Sequence, residues 1–132
     1  MKTLLRSVGA AMLALLLAAS STMPSDAAQR DRQAATRAFD GLWSVVIITG
    51  SGDCSTYRYP VRISYGRVMK ADEDSSYQVS GSLARSGAIG VTVAGYGQTA
   101  TGHGRLAPGY GSGRWRTSSG QCAGQWTAER RG

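Results

Sequence analysis

His103 is the only histidine among the 132 residues, and few other side chains could carry catalysis. Nucleophilic catalysis needs a base beside the nucleophile, and the chain has no Gly-x-Ser-x-Gly elbow to present a serine. His103 is out of phase with Gly102, Gly104 and Leu106, so it is expected to face away from the core side of its strand. We therefore predict no catalytic residue and a protein that is not an enzyme.

Metal and haem ligands are also scarce. Two cysteines and one histidine are too few for a zinc site. The acidic run 72–74 lacks the ligand spacing of an EF-hand and is expected to be a solvated hairpin tip. Haem could in principle be held by His103 with Tyr96 or Tyr110, but both tyrosines sit in Gly-Tyr-Gly triplets typical of turns, and no Cys-x-x-Cys-His is present. The sequence predicts no metal and no cofactor.

Cys54 and Cys122 are the only cysteines, and an even pair in a small exported domain is most simply a disulfide. It would close a loop of nearly seventy residues, worth about 4 kcal/mol on the chain-entropy model. Two free thiols are the alternative interpretation.

Two pairs of arginines, Arg58 with Arg62 and Arg114 with Arg116, each share one side of a predicted strand. The second pair flanks Trp115, and arginine interleaved with aromatic residues can bind anions or acidic sugars. The chain carries 15 Lys and Arg against 8 Asp and Glu, a net charge of +7. The four arginines are candidate anion-binding residues for an anionic polysaccharide. Alternatively, they are simply the solvent-facing positions of half-buried strands.

The first 27 residues read as a cleaved signal peptide. Two basic residues, Lys2 and Arg6, precede an apolar run over 8–19 that is too short to span a bilayer, and 25–27 fits the small-x-small cleavage rule. We therefore expect a periplasmic or secreted protein with no membrane span in the mature chain, which disfavours nucleic acid as a partner. Residues 28–38 are expected to form a flexible leader or a short surface helix, followed by one domain over 39–132.

The elements that must position these side chains are short strands. From residue 39 the apolar pattern has period two, with turn signals at intervals of about 8–12 residues, which predicts about seven or eight antiparallel strands and no long helix. In the strand that begins near Tyr57, Pro60 lacks a ladder donor, so this strand is expected to be an edge or to carry a bulge.

All three tryptophans occur in Gly-x-Trp triplets, whose glycine and tryptophan share one strand face, so that a neighbouring ring can fill the gap that the glycine leaves. One triplet opens the folded region and two close it, so the chain ends are expected to meet in one sheet. Alternation of small with large residues favours an all-β meander closed, or nearly closed, into a barrel rather than a sandwich. These triplets supply the predicted structural residues: Gly41, Trp43, Gly113, Trp115, Gly124 and Trp126. Cys122 shares the phase of the last triplet, so the disulfide should tie the closing strand to the loop after the opening one.

The opening Gly41-x-Trp43, the all-β meander and the basic residues after Trp126 resemble the calycin group of lipocalins, avidins and bacterial protease inhibitors. The resemblance implies that Trp43 packs under one end of a barrel and that Arg130 or Arg131 covers its ring. It also implies a small internal cavity or none, because the chain is shorter than a typical lipocalin. The chain also resembles small exported proteins of α-proteobacteria without an assigned function.

Taken together, these features predict a non-enzymatic binding module for a small ligand or a protein partner. The alternative is an envelope structural or adhesion protein that binds anionic polysaccharide through its arginine-rich face.

Overall fold

The structure is a computed structural model that describes residues 26–27 and 36–132. It contains a short 3₁₀-helix, η1, and eight antiparallel strands joined in sequence order into one closed barrel. The elements are η1 (Arg37–Phe39), β1 (Gly41–Ser51), β2 (Tyr57–Ser64), β3 (Arg67–Lys70), β4 (Tyr77–Leu83), β5 (Ala88–Gly95), β6 (Gln98–Leu106), β7 (Tyr110–Thr117) and β8 (Ala123–Arg130). The predicted all-β barrel is confirmed.

The first and last strands close the barrel. β1 pairs with β2 on one side and with β8 on the other, where Trp43 stands opposite Arg130 and Ile47 opposite Trp126. The expectation that the chain ends meet in one sheet is therefore confirmed. The predicted signal peptide (1–27) lies outside the described residues except for 26–27, and the predicted leader (28–38) lies outside them up to residue 35.

The two ends of the barrel differ. Connections 52–56, 71–76, 96–97 and 118–122 lie at one end, which we call the open end. Connections 65–66, 84–87 and 107–109 lie with η1 at the other, which we call the closed end. The two-residue connections are Tyr-Gly pairs with both φ angles positive (51° and 76° at 65–66), as tight antiparallel hairpins with their right-handed twist require.

Most of the buried core fills the closed half of the barrel. Its aliphatic members alternate with exposed residues along their strands, as the period-two pattern predicts: Val61, Ile63, Val68, Leu83, Ile89 and Leu106. Phe39 of η1 joins this core and is 6% exposed, so the closed end is sealed by apolar packing.

The interpretation of β2 as an edge strand or a bulged strand is wrong, because β2 pairs regularly with both β1 and β3. Pro60 is tolerated there because β3 ends at Lys70, opposite Val61. The Pro60 carbonyl accepts a hydrogen bond from Ala71 N at 3.3 Å, and the nitrogen of a strand residue faces the same side as its carbonyl. The missing donor therefore faces a gap in the wall beyond the end of β3.

Candidate ligand cavity

The barrel encloses a cavity of about 380 Å³ that reaches from the rim of the open end down to the core of the closed half. Its walls are mostly aliphatic because the inward positions of the strands are valines and isoleucines. Those nearest the middle come from four strands and include Val45, Ile47, Val61, Val79, Val91 and Val93. Of the two alternatives implied by the calycin resemblance, a small cavity or none, the structure has the cavity.

The floor of the cavity is Trp43, which is fully buried. Its indole Nε1 donates a hydrogen bond of 2.8 Å to the carbonyl of Phe39, which anchors η1 beneath the ring. Arg130 Nη1 donates to the carbonyl of Ala38 at 3.1 Å and adds a second tie between β8 and this segment. These bonds leave the buried indole with a partner and keep the closed end shut.

The arginine that the resemblance assigns to Trp43 has a different role. Arg130 is opposite Trp43 in register, but its guanidinium bonds the backbone, and Arg131 pairs with Glu129 at 3.3 Å. Within 26–27 and 36–132, the cation–ring contacts are those of Arg37 with the Tyr65 ring and of Lys70 with the Tyr77 ring. The expected arginine stack on Trp43 is absent from this part of the chain.

The last two Gly-x-Trp triplets face each other across β7 and β8. Gly113 is opposite Trp126, and Trp115 is opposite Gly124. The Trp126 ring lies over Gly113, where an added Cβ would come within 2.6 Å of it, and its Nε1 donates to the carbonyl of His103 on β6 at 3.3 Å. Glycine thus leaves the space that the neighbouring tryptophan occupies, and both tryptophan rings become cavity wall.

The Trp126 indole extends towards β6, whereas the Trp115 indole extends towards β8 and β1. Its Nε1 donates to the carbonyls of Ile48 and Gln125, each at 3.1 Å, and so ties β7 to β8 and β1. Gly124 allows the β1 backbone to approach closely at a register irregularity between Thr49 and Ser51. At this point the cavity wall consists of backbone atoms and the Trp115 indole, which its hydrogen bonds hold in place.

Four tyrosines lie on one side of the mouth. Tyr57 and Tyr59 lie on the inward face of β2 with ring centroids 5.8 Å apart, and Tyr59 meets Tyr77 of β4 at 5.2 Å. Tyr96, at the 96–97 turn, is within 3.1 Å of the Ser76 hydroxyl through its own hydroxyl. Burial, followed by the neighbouring Tyr57 and Tyr96, raises the pKa of Tyr59 above its ordinary value, so its hydroxyl stays protonated at neutral pH.

The contact between Tyr59 and Tyr77 closes the gap left by the short β3. Next to it, Lys70 Nζ donates to the carbonyl of Tyr77 at 3.0 Å and to the carbonyl of Asp74. The hydroxyl of Tyr77 donates to Asp72 Oδ2 at 2.7 Å. These bonds hold connection 71–76 against the rim, where it covers the gap. We call this connection the latch.

The disulfide lies at the same end. Cys54 in connection 52–56 is bonded to Cys122, which directly precedes β8, so the predicted tie between the closing strand and the loop after β1 is confirmed. Cys54 also lines the cavity. The bond therefore fixes part of the rim and ties connection 52–56 to the start of β8.

The structure separates the four arginines that the sequence singled out. Arg58 and Arg62 lie on the outer face of β2, and Arg114 and Arg116 lie on the outer face of β7, with β8 and β1 between them. Arg58 Nη1 donates to the Ser44 hydroxyl at 3.1 Å. The four side chains therefore form two separate pairs on the outside of the barrel.

His103 lies exposed on the outer face, as its phase predicts, and it joins the second arginine pair. It is opposite Arg114 in register, and both border a shallow outer groove that also includes Arg116 and Gln125. Tyr96 and Tyr110 are at opposite ends of the barrel, so they do not form a common site with His103. In the described ranges, no three His, Cys, Asp or Glu side chains are grouped to hold a metal ion.

The tyrosine rim is the part of the site that sequence reasoning missed. A signal existed in the phase, because Tyr57 and Tyr59 share the face of Val61 and Ile63 on one strand. The partner ring, Tyr77, becomes a neighbour only because β3 is short, and that fact depends on pairing rather than on local pattern.

The chain matches no protein-family model, no curated protein and no solved structure. The closed eight-stranded antiparallel barrel is compatible with a calycin-like protein, and this likeness concerns the architecture alone. Within the described segments, no helix has the length and apolar character needed to cross a membrane.

Proposed function

We propose that this chain is an exported, non-enzymatic binding protein that holds one small, largely apolar molecule inside its barrel. The observation that carries the proposal is the cavity of about 380 Å³, which is walled by aliphatic and indole groups and bordered by tyrosine hydroxyls at one end. Ligand pockets fall at about 300–1,000 Å³ and combine an apolar lining with a few polar groups. The cavity is at the small end of that range.

The construction of the walls supports this role. A cavity that is kept for binding must resist collapse, and the rings of Trp115 and Trp126 are each fixed by a hydrogen bond to a strand two positions away in the barrel. The disulfide and the latch at 71–76 hold the rim in the same way. A preformed site of this kind loses little conformational entropy when a ligand enters. The disulfide is also compatible with the proposed export.

The proposal is tested with N-phenyl-1-naphthylamine, a neutral apolar dye that fluoresces when it leaves water. We expect saturable binding of one dye per barrel. Val91→Trp, which places an indole in the cavity, should weaken binding at least about tenfold. Thr92→Trp is the matched control, because Thr92 is the next residue of β5 and is exposed on the outer face.

Thermal unfolding of both variants establishes that they are folded. Equal dye affinity for the wild type and a folded Val91→Trp protein would contradict the proposal, and so would an absence of dye binding to the wild type.

A second candidate function is favoured by the outer groove. Arg114, Arg116 and His103 border it together, so an anionic polysaccharide of the envelope could bind there as an adhesion or structural contact. Its binding would weaken steeply with salt. Arg114→Gln with Arg116→Gln should abolish the binding, whereas Arg58→Gln with Arg62→Gln, on the other pair, should reduce it only through net charge. Equal loss in both double variants would contradict a groove site.

A further inference from the structure

The cavity lining contains an acidic side chain but no basic one. Among the described residues that line it, Asp53 is the only acidic one, and lysine, arginine and histidine are all absent. An anion inside the cavity would therefore have no basic partner, and burying an unpaired charge is strongly unfavourable. A neutral or positively charged ligand meets no such penalty.

The tyrosine rings at the mouth offer a surface that binds cations. The faces of aromatic rings attract ammonium groups, and several rings together form the cages that hold quaternary ammonium ligands. Tyr57, Tyr59 and Tyr77 form one continuous cluster on the lining, and Tyr96 lines the cavity from the neighbouring 96–97 turn, where its hydroxyl meets that of Ser76. A ring of this cluster already accepts an ammonium group, since Lys70 Nζ lies 5.5 Å from the centroid of Tyr77.

The connections at the open end are acidic as well. Its connections, all within the described range 36–132, carry four acidic residues and no basic one: Asp53, Asp72, Glu73 and Asp74. Lys70 at the end of β3, Arg58 at the start of β2 and Arg116 near the end of β7 are the basic residues close to this end, and none of them lines the cavity. Arg37, Arg85 and Arg131 lie at the closed end. Although the whole chain is basic, the connections around the mouth are therefore acidic, and their charge favours a cation over an anion at the entrance to the cavity.

We propose that the ligand is a cationic amphiphile, with an apolar body in the barrel and an amine or quaternary ammonium group among the tyrosines and Asp53 at the mouth. This inference rests on the proposed function, because it names the chemical class of ligand for the same cavity. The apolar body replaces water against the valine walls, and the cation keeps partial contact with solvent at the rim.

The test uses three probes that share a six-carbon chain: hexyltrimethylammonium, hexanol and hexanoate. Isothermal titration calorimetry at pH 7 should rank them in that order, with the cation at least about tenfold tighter than the alcohol and the carboxylate weakest. Asp53→Asn should weaken the cation about fivefold and leave hexanol unchanged. Glu129→Gln is the matched control, because it removes one negative charge at the closed end and should change neither affinity.

The outcomes separate the two proposals. If no probe binds and the dye also fails to bind, the cavity is not a ligand site and both proposals are overturned. If the dye and hexanol bind but the ammonium compound has no advantage, or if hexanoate binds best, the cavity binds ligands and the inferred charge preference is wrong. An advantage that survives Asp53→Asn but is lost in Tyr57→Leu supports a purely aromatic cation site.

Discussion

Replacing Gly113 by alanine tests whether the paired Gly-x-Trp triplets build the cavity wall as described. The new Cβ would overlap the carbonyl oxygen of His103 and would lie 2.6 Å from both Cε2 and Nε1 of Trp126. The carbonyl belongs to the neighbouring strand and cannot move without breaking the pairing of β6 with β7, so the indole must also leave its position.

Overpacking of one side chain costs about 1–3 kcal/mol and occasionally more. Because both a backbone atom and a large ring are displaced here, we expect a loss of about 3 kcal/mol in the free energy of unfolding. For a domain of this size, that corresponds to a fall in Tm of roughly 12–20 °C. Near-ultraviolet circular dichroism should also change, because Trp126 loses its fixed environment.

The matched control is Gly109→Ala. No atom lies within 4 Å of a Cβ added at Gly109, so this variant removes a glycine from the same hairpin without a clash. Its stability should stay within about 1 kcal/mol of the wild type, with a slight gain from the less flexible unfolded chain. Equal Tm values for the Gly113→Ala and Gly109→Ala proteins in a thermal unfolding experiment would refute the account of the wall.

Two further predictions concern the rim. The double variant Cys54→Ser, Cys122→Ser should be less stable by about 4 kcal/mol in urea denaturation, and a loss below about 1 kcal/mol would show that the disulfide does not constrain the unfolded chain as the entropy model requires. Burial and the hydrogen bond to Asp72 raise the pKa of Tyr77 above its ordinary value of 10.0. The stability that this protonated hydroxyl contributes is therefore complete below pH 10.0 and is lost as the pH rises towards the higher folded-state pKa. Tyr77→Phe should flatten the alkaline loss of stability, and an unchanged slope between pH 9 and 12 would count against the latch.

Local pattern predicted the features that depend on neighbouring residues in the chain. Strand phase placed Trp43, Trp115 and Trp126 on the inner face and His103 on the outer face. Phase also related Cys122 to the last triplet, and together with the predicted export signal this was enough to predict the disulfide. These inferences succeeded because a two-residue period determines which side of a strand each residue occupies.

Features that depend on pairing between distant strands could not be predicted in the same way. Pro60 suggested an edge or a bulge, but the gap that it tolerates exists only because β3 ends at Lys70. The cluster of Tyr59 with Tyr77 depends on the same gap. Likewise, strand phase predicted that all four arginines lie on the outside of the barrel. It could not predict that Arg62 and Arg114 lie far apart, because that depends on the order of the strands.

The central claim, that the barrel holds a small ligand, is tested most directly by native mass spectrometry of the protein purified with its disulfide intact from cells that produce it. The account predicts a species that carries one additional small mass, retained in Thr92→Trp and lost in Val91→Trp. A wild-type protein that is empty, and that also stays empty after incubation with hexyltrimethylammonium and with hexanol, would contradict it.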